Sequence, residues 1–68
     1  MSAQERETLV SDGLVGIPYA TQFIGTSRAD LYGRMARGEL PFVKIGKRRL
    51  IPRRALVAFA ANALVVAN

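Results

Sequence analysis

The sequence predicts a small α+β domain that is mostly helical, and three observations support this fold class. Apolar residues recur at helical spacing in two short segments on either side of Gly25. Apolar and charged residues then alternate before Gly46-Lys47, and this two-residue turn with the segment after it predicts a two-stranded β-hairpin. A long apolar segment after Pro52 predicts a final helix.

The length and composition of the chain limit the possible classes of protein. With 68 residues, of which 50% are hydrophobic, the chain can form one small folded domain. It contains no Cys and no His, so neither disulfides nor the usual zinc sites are expected. The apolar segment from Ala55 to Ala67 is shorter than the roughly 20 residues that a membrane span needs. We therefore expect a cytoplasmic protein that does not enter a membrane.

The first ordered element is predicted to follow an N-terminal arm. Residues 1–14 have neither helical nor strand periodicity, and we expect them to form a flexible arm. Gly16 can then cap a helix whose first turn contains Pro18. Gly25 can end this helix in a left-handed conformation, and its apolar face consists of Ala20, Phe23 and Ile24.

A second helix is predicted directly after a three-residue turn. Ser27 and Asp30 have the spacing of a capping motif, which predicts a helix from Arg28 to Arg37. The buried stripe of this helix is expected to contain Leu31 and Met35, which are i, i+4 neighbours. The two helices and their short connection predict a helix-turn-helix.

The hairpin is the next predicted element. In its first strand, Lys44 is expected on one face, and Val43 and Ile45 on the other, buried face. Gly46-Lys47 supplies a two-residue turn, and the second strand is predicted over residues 48–51.

The order of these elements predicts a winged helix-turn-helix. Helix, turn, helix, hairpin and a final helix follow one another, and Pro52 lies at the start of the final helix. We expect a winged helix-turn-helix DNA-binding domain over residues 15–59 and an apolar helical extension, suited to self-association, over residues 60–68.

Positive charge is concentrated in the second helix and the hairpin. Residues 28–54 carry nine Lys and Arg side chains and two acidic ones, a net charge of +7 in a chain of net charge +5. A helix fits the major groove and a charged hairpin can follow the phosphates, so double-stranded DNA is the expected partner. The predicted contacts are Ser27, Arg28, Ala29, Tyr32, Gly33, Arg34 and Arg37 in the second helix, Lys44, Lys47, Arg48 and Arg49 in the hairpin, and Arg53 and Arg54 as further phosphate ligands.

Several residues of the second helix allow two interpretations. Arg28 is predicted to contact a guanine edge, and a phosphate contact is the alternative. Gly33 either lets DNA approach closely or is a tolerated surface residue that costs about 0.8–1 kcal/mol in helix propensity. Tyr32 either packs against the hairpin or donates to a phosphate. Arg34 either pairs with an acidic side chain or reaches a phosphate, whereas Arg37 is suited to the negative end of the helix dipole.

The charges of the hairpin and of the last helix also have alternative explanations. Charged strands discourage edge-to-edge aggregation, although four cations on so short a hairpin favour contact with DNA. Arg53 and Arg54 oppose the helix dipole at their position, which favours a phosphate contact for one of them.

The last helix is apolar around its whole circumference. Twelve of the 14 residues from 55 to 68 are apolar, which is more than one stripe against a small domain can bury. A second copy of the protein is the expected partner for this surface, through Phe59, Leu64, Val65 and Val66. A frayed terminal segment is the alternative.

The chain lacks a set of residues suited to catalysis. Asp30 is assigned to capping, Glu39 stands alone, and His and Cys are absent. Tyr19 and Tyr32 could act as recombinase nucleophiles only beside activating groups, which normally include a histidine. We therefore expect no enzyme activity, and no cofactor, metal or small-molecule ligand.

Four motifs together resemble a known family. They are the pattern of Ser27, Arg28, Leu31 and Tyr32, the turn from Arg37 to Pro41, the strand from Val43 to Gly46, and Ile51-Pro52. Over residues 15–59 these motifs closely resemble the MerR-like winged helix-turn-helix of small excisionases, the recombination directionality factors of phages and integrative elements. The sequence departs from the residues common in that family at Gly16, Thr26, Gly33 and Arg49.

The resemblance implies a function and several partners. Excisionases are not catalytic; they bind adjacent sites in attachment DNA cooperatively, bend the DNA and direct a partner integrase to excise rather than integrate. The resemblance implies a major-groove helix at residues 28–37, a wing at residues 44–49, head-to-tail assembly, and a nucleoid-associated location in a bacterial host cell. The alternative is a small prophage-type transcriptional regulator that binds a palindrome as a dimer. A protein-interaction module with an incidental basic face is a third hypothesis.

Overall fold

The computed structural model describes residues 1–66, in which four helices and a three-stranded antiparallel sheet share one core. The helices are α1 (Ala3–Val10), α2 (Ile17–Ile24), α3 (Arg28–Ala36) and α4 (Arg53–Ala63). The strands are β1 (Leu14–Val15), β2 (Val43–Ile45) and β3 (Arg48–Pro52), in the sheet order β1-β3-β2. The order from α2 to α4 is that of a winged helix-turn-helix, which confirms the predicted fold class.

Capping residues delimit the two helices of the helix-turn-helix, as predicted. Gly16 precedes α2, and Gly25 follows it with a φ of 76°, a left-handed conformation that residues with a Cβ rarely adopt. The Ser27 hydroxyl accepts a hydrogen bond of 3.1 Å from the backbone N–H of Asp30 and so caps α3. Because both ends are capped, only a short turn separates the two helices.

The core lies between the helices and the sheet. Helices α2, α3 and α4 and strand β3 each contribute buried apolar side chains, and the turn after α3 contributes another. The buried hydrophobic residues are Ile17, Ala20, Leu31, Met35, Leu40, Ile51, Ala55 and Leu56. Leu31 and Met35 thus face the core, as their spacing predicts.

Strands β2 and β3 form the predicted hairpin, and we call residues 43–50 the wing. Ile45 lies opposite Arg48, so Gly46-Lys47 connects the two strands directly. Gly46 has a φ of 61°, as the first central position of a type II′ turn requires. The wing extends beyond the core, where Ile45 is 56% exposed. The expectation that Ile45 lies on a buried face is therefore wrong.

The N-terminal residues have more regular structure than a flexible arm would have. Residues 3–10 form α1, and the residues after it form β1, which pairs with β3. Helix α1 begins at a capping box in which Ser2 and Glu5 exchange hydrogen bonds. Only Leu9 of α1 packs against the core and no residue of this helix is fully buried, so α1 has no apolar stripe that periodicity could reveal. Packing against α4 and an ion pair of 3.1 Å between Arg54 and Asp12 hold this segment on the domain.

The last helix is shorter than predicted. The sequence predicts a helix through Ala67, whereas α4 ends at Ala63 and Leu64 is extended. Two consecutive valines follow, and β-branched residues have reduced helix propensity. Ala67 and Asn68, assigned to the same extension, lie outside the described residues. The longest helix of residues 1–66 has 11 residues, and no helix in this part of the chain combines the length and apolarity needed to cross a membrane.

Candidate nucleic-acid interface

The starts of α2 and α3 and the tip of the wing meet at a shallow depression of about 300 Å³. The lining residues come from three elements that are distant in sequence: Gly16, Ile17, Pro18, Arg28, Tyr32, Lys47, Arg48 and Arg49. The fold thereby brings residues of the second helix next to residues of the wing. Four of these side chains are cationic, so the depression attracts anions.

Four of the predicted DNA contacts form a group that we call the basic surface: Arg28, Lys44, Lys47 and Arg48. All four residues are exposed. Within residues 1–66, none of the four forms an ion pair with a carboxylate. Uncompensated cations at a helix start and along a hairpin are suited to contacts with the phosphates of a duplex.

The start of α3 carries small side chains beside Arg28. The Ser27 hydroxyl is used in capping, and Ala29 is exposed. Arg28 is the first residue of α3, and its Cζ lies 5.7 Å from the centroid of the Tyr32 ring. The N-terminal residues of a major-groove helix usually reach the base edges, and Arg28 and Ala29 occupy that position in α3.

Tyr32 packs against the wing. The Arg49 Cζ lies 5.2 Å from the centroid of the Tyr32 ring and 4.9 Å from that of Phe42. Arg49 is half-buried, in contrast to the exposed Lys47 and Arg48 beside it. Of the two alternatives for Tyr32, the structure shows the packing contact, and it sets Arg49 apart from the other cations of the wing.

Arg34 faces α4 and has several partners. Its Nε donates to Asp30 Oδ2 at 2.9 Å, and its Nη1 donates to Glu39 Oε1 at 3.1 Å. The Arg34 Cζ lies 5.1 Å from the centroid of the Phe59 ring. Hydrogen bonds from Thr26 and Arg34 lower the pKa of Asp30, and the Asp30 carboxylate raises the pKa of Arg34. The structure thus shows Arg34 in an acidic pairing, outside the basic surface.

The Arg37 side chain lies beside Gly33 at the end of α3. Arg37 is the C-cap residue, and its Nε donates to Glu39 Oε2. This hydrogen bond lowers the pKa of Glu39. A Cβ on Gly33 would lie 3.2 Å from Arg37 Nη1, so the guanidinium occupies the space beside the glycine. The end of the Arg37 side chain therefore lies against Gly33, a contact that the sequence pattern did not indicate.

The two arginines at the start of α4 have partners that are distant in sequence. Arg54 Nε donates to Asp12 Oδ2 at 3.1 Å, and this carboxylate balances its charge. Arg53 Nη2 donates at 2.9 Å to the Tyr19 hydroxyl, a partner without a carboxylate charge. Arg53 is therefore the better candidate of the two for a phosphate contact.

The local sequence pattern indicates one of these side-chain contacts but not the two that involve α4. Asp30 and Arg34 have the i, i+4 spacing at which side chains meet on a helix. The Arg53–Tyr19 and Arg54–Asp12 contacts join residues 34 and 42 positions apart, so no local pattern predicts them.

A separate apolar surface lies after α4. Leu64, Val65 and Val66 are 70%, 89% and 70% exposed, and we call these three residues the apolar tail. Phe59 differs from them, because it is half-buried and packs against the core. Phe59 therefore does not belong to the apolar tail, although it was expected to take part in self-association.

The capped α3 beside a charged wing is the arrangement of a DNA-binding helix-turn-helix. A family model described as Helix-turn-helix domain matches residues 14–63, from β1 to the end of α4. No curated protein and no solved structure gives a significant match to the chain. The chain therefore belongs to the helix-turn-helix domain family, and this membership indicates binding to double-stranded DNA.

Proposed function

We propose that this protein is an excisionase, which binds adjacent sites in attachment DNA, bends the DNA and directs a partner integrase to excise rather than integrate. The observation that carries the proposal is the separation of two surfaces on one small domain. The basic surface lies on α3 and the wing, whereas the apolar tail follows α4. A protomer of this kind can hold DNA and a neighbouring protomer at the same time.

The contacts with DNA are divided between α3 and the wing. Helix α3 enters the major groove, with Arg28 and Ala29 at the base edges. Lys47 lies in the turn at the tip of the wing and Arg48 at the start of β3, where their charges reach the phosphates. Each phosphate that a cation neutralises releases counterions, so binding weakens as the salt concentration rises.

The basic surface also supplies the energy for bending. A smooth bend in a site of 20–30 base pairs costs about 1–6 kcal/mol. Several protomers on adjacent sites would share this cost, because each contributes its own phosphate contacts along the bent duplex.

Assembly along DNA requires a contact between unlike surfaces of successive protomers. Such a head-to-tail contact does not close on itself, so it can continue from site to site. The exposed apolar tail supports this part of the proposal, because it has no covering partner within residues 1–66. A partner integrase then recognises the bent array, and binding to attachment DNA places the protein at the nucleoid of a bacterial cell.

The alternative is a small prophage-type transcriptional regulator that binds a palindrome as a dimer. The same tail could serve this function if two copies pair their tails around a two-fold axis. The arrangement of binding sites distinguishes the two functions, because a closed dimer needs inverted half-sites.

Selection from random duplexes of about 50 base pairs (roughly five helical turns) tests the proposal. The bound pool is sequenced at several protein concentrations. Direct repeats that fill progressively in one orientation are expected for the excisionase. Inverted half-sites that fill in one step would favour the regulator.

A pair of variants controls for adventitious binding. The double variant, Lys47→Gln and Arg48→Gln, removes two charges from the basic surface. The single variant Arg6→Gln removes an exposed charge on α1. We expect the first variant to lose enrichment and the second to retain it. Equal enrichment by both variants would contradict a role for the wing in DNA binding.

A further inference from the structure

We infer that Arg49 is a positioning residue, which holds the wing against α3 and is not itself a contact with DNA. The inference rests on the proposed role of the wing in DNA binding, and it removes one of the predicted contacts. It also assigns a function to a residue at which the sequence departs from the family that it resembles.

The contacts of Arg49 join three parts of the chain. Tyr32 lies on α3, Phe42 precedes β2, and Arg49 lies on β3. The Arg49 Cζ is 5.2 Å from one ring centroid and 4.9 Å from the other, and both distances are within the range of about 6 Å for a cation–π interaction. A single guanidinium on β3 therefore connects α3 with the segment that leads into β2.

The wing needs such a connection because its outer strand has little other support. In the sheet of residues 1–66, β2 pairs with β3 alone, and Ile45 at the end of β2 is 56% exposed. A two-stranded hairpin without further packing is marginally stable. The orientation of the wing relative to α3 therefore depends on side-chain contacts such as those of Arg49.

The position of Arg49 differs from that of its cationic neighbours. Lys47 and Arg48 are exposed, whereas Arg49 is half-buried against the two rings. Lys44 lies directly opposite Arg49 across the strands, where like charges repel each other. The two rings offset this repulsion, and a planar guanidinium can lie against both rings better than a lysine ammonium can.

Two substitutions separate stacking from charge at this position. Arg49→Tyr keeps a planar group and removes the charge, whereas Arg49→Lys keeps the charge and removes the planar group. Duplex affinity is measured for both as a function of salt concentration. Arg48→Gln, at the neighbouring exposed position, is the matched control.

The expected order of affinities follows from the stacking contacts. Arg49→Tyr should bind within about threefold of the unchanged protein and with the same salt slope, because no phosphate contact is lost. Arg49→Lys should bind roughly tenfold more weakly, because an ammonium cannot lie flat against both rings and the wing loses its orientation. Arg48→Gln should lower the salt slope by about 0.9, as the loss of one phosphate contact does.

The reverse order would overturn the inference. If Arg49→Lys binds normally and Arg49→Tyr loses about 0.9 of the salt slope, Arg49 contacts a phosphate. Equal losses of affinity in both variants would also contradict a role in stacking. The titrations are made at a temperature at which circular dichroism shows that the unchanged protein and all variants are folded.

A second measurement uses the free protein and does not depend on DNA. The heteronuclear NOE of the Lys47 amide reports fast motion at the tip of the wing. We expect a lower NOE in Arg49→Lys and in Phe42→Leu, but not in Arg49→Tyr. Phe42 is 37% exposed, so its replacement does not open the core.

The two measurements separate failure of this inference from failure of the proposed function. An unchanged NOE in Arg49→Lys and Phe42→Leu would overturn the positioning role even if DNA binding is normal. Failure of the unchanged protein to bind any duplex would contradict the proposed function, and the NOE would still decide whether Arg49 holds the wing.

Discussion

Arginines that are adjacent in the sequence have different roles in the structure. Arg48 is exposed, whereas Arg49 is half-buried over two aromatic rings. Arg53 donates to Tyr19, and Arg54 pairs with Asp12. Net charge therefore overstates the number of cations that can meet DNA, because a guanidinium already paired with a carboxylate gains less from a phosphate.

Substitution of Arg28 and Arg48 separates base readout from phosphate contact. Arg28→Ala is expected to reduce discrimination at one base position by about 1–3 kcal/mol, because we propose that its guanidinium contacts a guanine edge. Arg48→Ala is expected to weaken binding to all duplexes alike and to lower the salt slope by about 1. Titration of matched and mismatched duplexes at several salt concentrations measures both effects. Equal losses on every sequence for both variants would mean that Arg28 also contacts a phosphate.

The acidic side chains around Arg34 make stability depend on pH in the acid range. Hydrogen bonds from Thr26 and Arg34 lower the pKa of Asp30. A hydrogen bond from Arg37 lowers the pKa of Glu39. The folded protein therefore binds fewer protons than the unfolded chain around pH 4. The stabilisation is complete above the ordinary carboxylate pKa values of about 4 and is lost as the pH falls through the lower, folded-state values.

Thermal unfolding between pH 3 and pH 7 tests this dependence. We expect a midpoint that is nearly constant above about pH 5 and falls below about pH 4. A variant with Asp30→Asn and Glu39→Gln should be less stable at pH 7 and should lose less on acidification. If the unfolding midpoint of this variant falls as steeply with pH as that of the unchanged protein, carboxylates other than Asp30 and Glu39 are responsible.

Helix α3 combines well-defined ends with an unfavourable residue in its middle. Ser27 caps its start, and Arg37 lies at its end. Gly33 costs the helix about 0.8–1 kcal/mol relative to Ala. The space beside Gly33 is occupied by the guanidinium of Arg37, which also binds Glu39.

Replacement of Gly33 by Ala tests why this glycine is present. We expect Gly33→Ala to stabilise the domain by up to about 1 kcal/mol, because the Cβ displaces only the flexible end of Arg37. Duplex affinity should stay within about twofold, or 0.4 kcal/mol. Chemical unfolding and DNA titration measure the two quantities, with Arg37→Ala as the control for displacement of the guanidinium. A more stable variant with much weaker binding would show that DNA approaches Gly33 closely.

Helix α1 shows that local hydrogen bonds can define a helix that buries no residue. Its start is a capping box of Ser2 and Glu5, and its sequence has no apolar face. An isolated helix of this length is marginal in water, so its contacts with α4 contribute to its stability. Periodicity therefore missed α1, although the Ser-x-x-Glu spacing was present in the sequence.

The protein as a whole presents a charged surface and an apolar surface on different elements. Lys44, Lys47, Arg48 and Arg28 carry the charge, and Leu64–Val66 carry the apolar area. This separation predicts that intrinsic DNA affinity and cooperativity can be changed independently.

Polar substitution of the apolar tail tests the assembly on DNA. The triple variant Leu64→Ser, Val65→Ser and Val66→Ser should bind a single site with unchanged affinity, because the tail is distinct from the basic surface. On adjacent sites it should lose the coupling between protomers, which is typically about 5- to 150-fold. Titration of one-site and multi-site duplexes compares the two affinities, and Val10→Ser, at an exposed position on α1, is the control. Retained cooperativity in the triple variant would place the contact between protomers elsewhere.

The order of the elements from α2 to α4 was predictable because its signals are local. Ser27 lies three residues before Asp30, Gly25 ends α2 in the expected left-handed conformation, and Gly46 lies in the predicted hairpin turn. Apolar spacing likewise identified Leu31 and Met35 as core residues. Each of these interactions joins residues that are close in sequence, so a short segment contains both partners.

The division of the cations was not predictable because it depends on residues that folding brings together. Arg54 meets Asp12, Arg53 meets Tyr19, and the guanidinium of Arg49 lies over rings from α3 and from the segment before β2. The sequence contained the fold class and the nature of the partner in its periodicity and charge. Folding decided which cations are exposed to meet that partner, because an ion pair or a ring contact forms only when distant segments pack against each other.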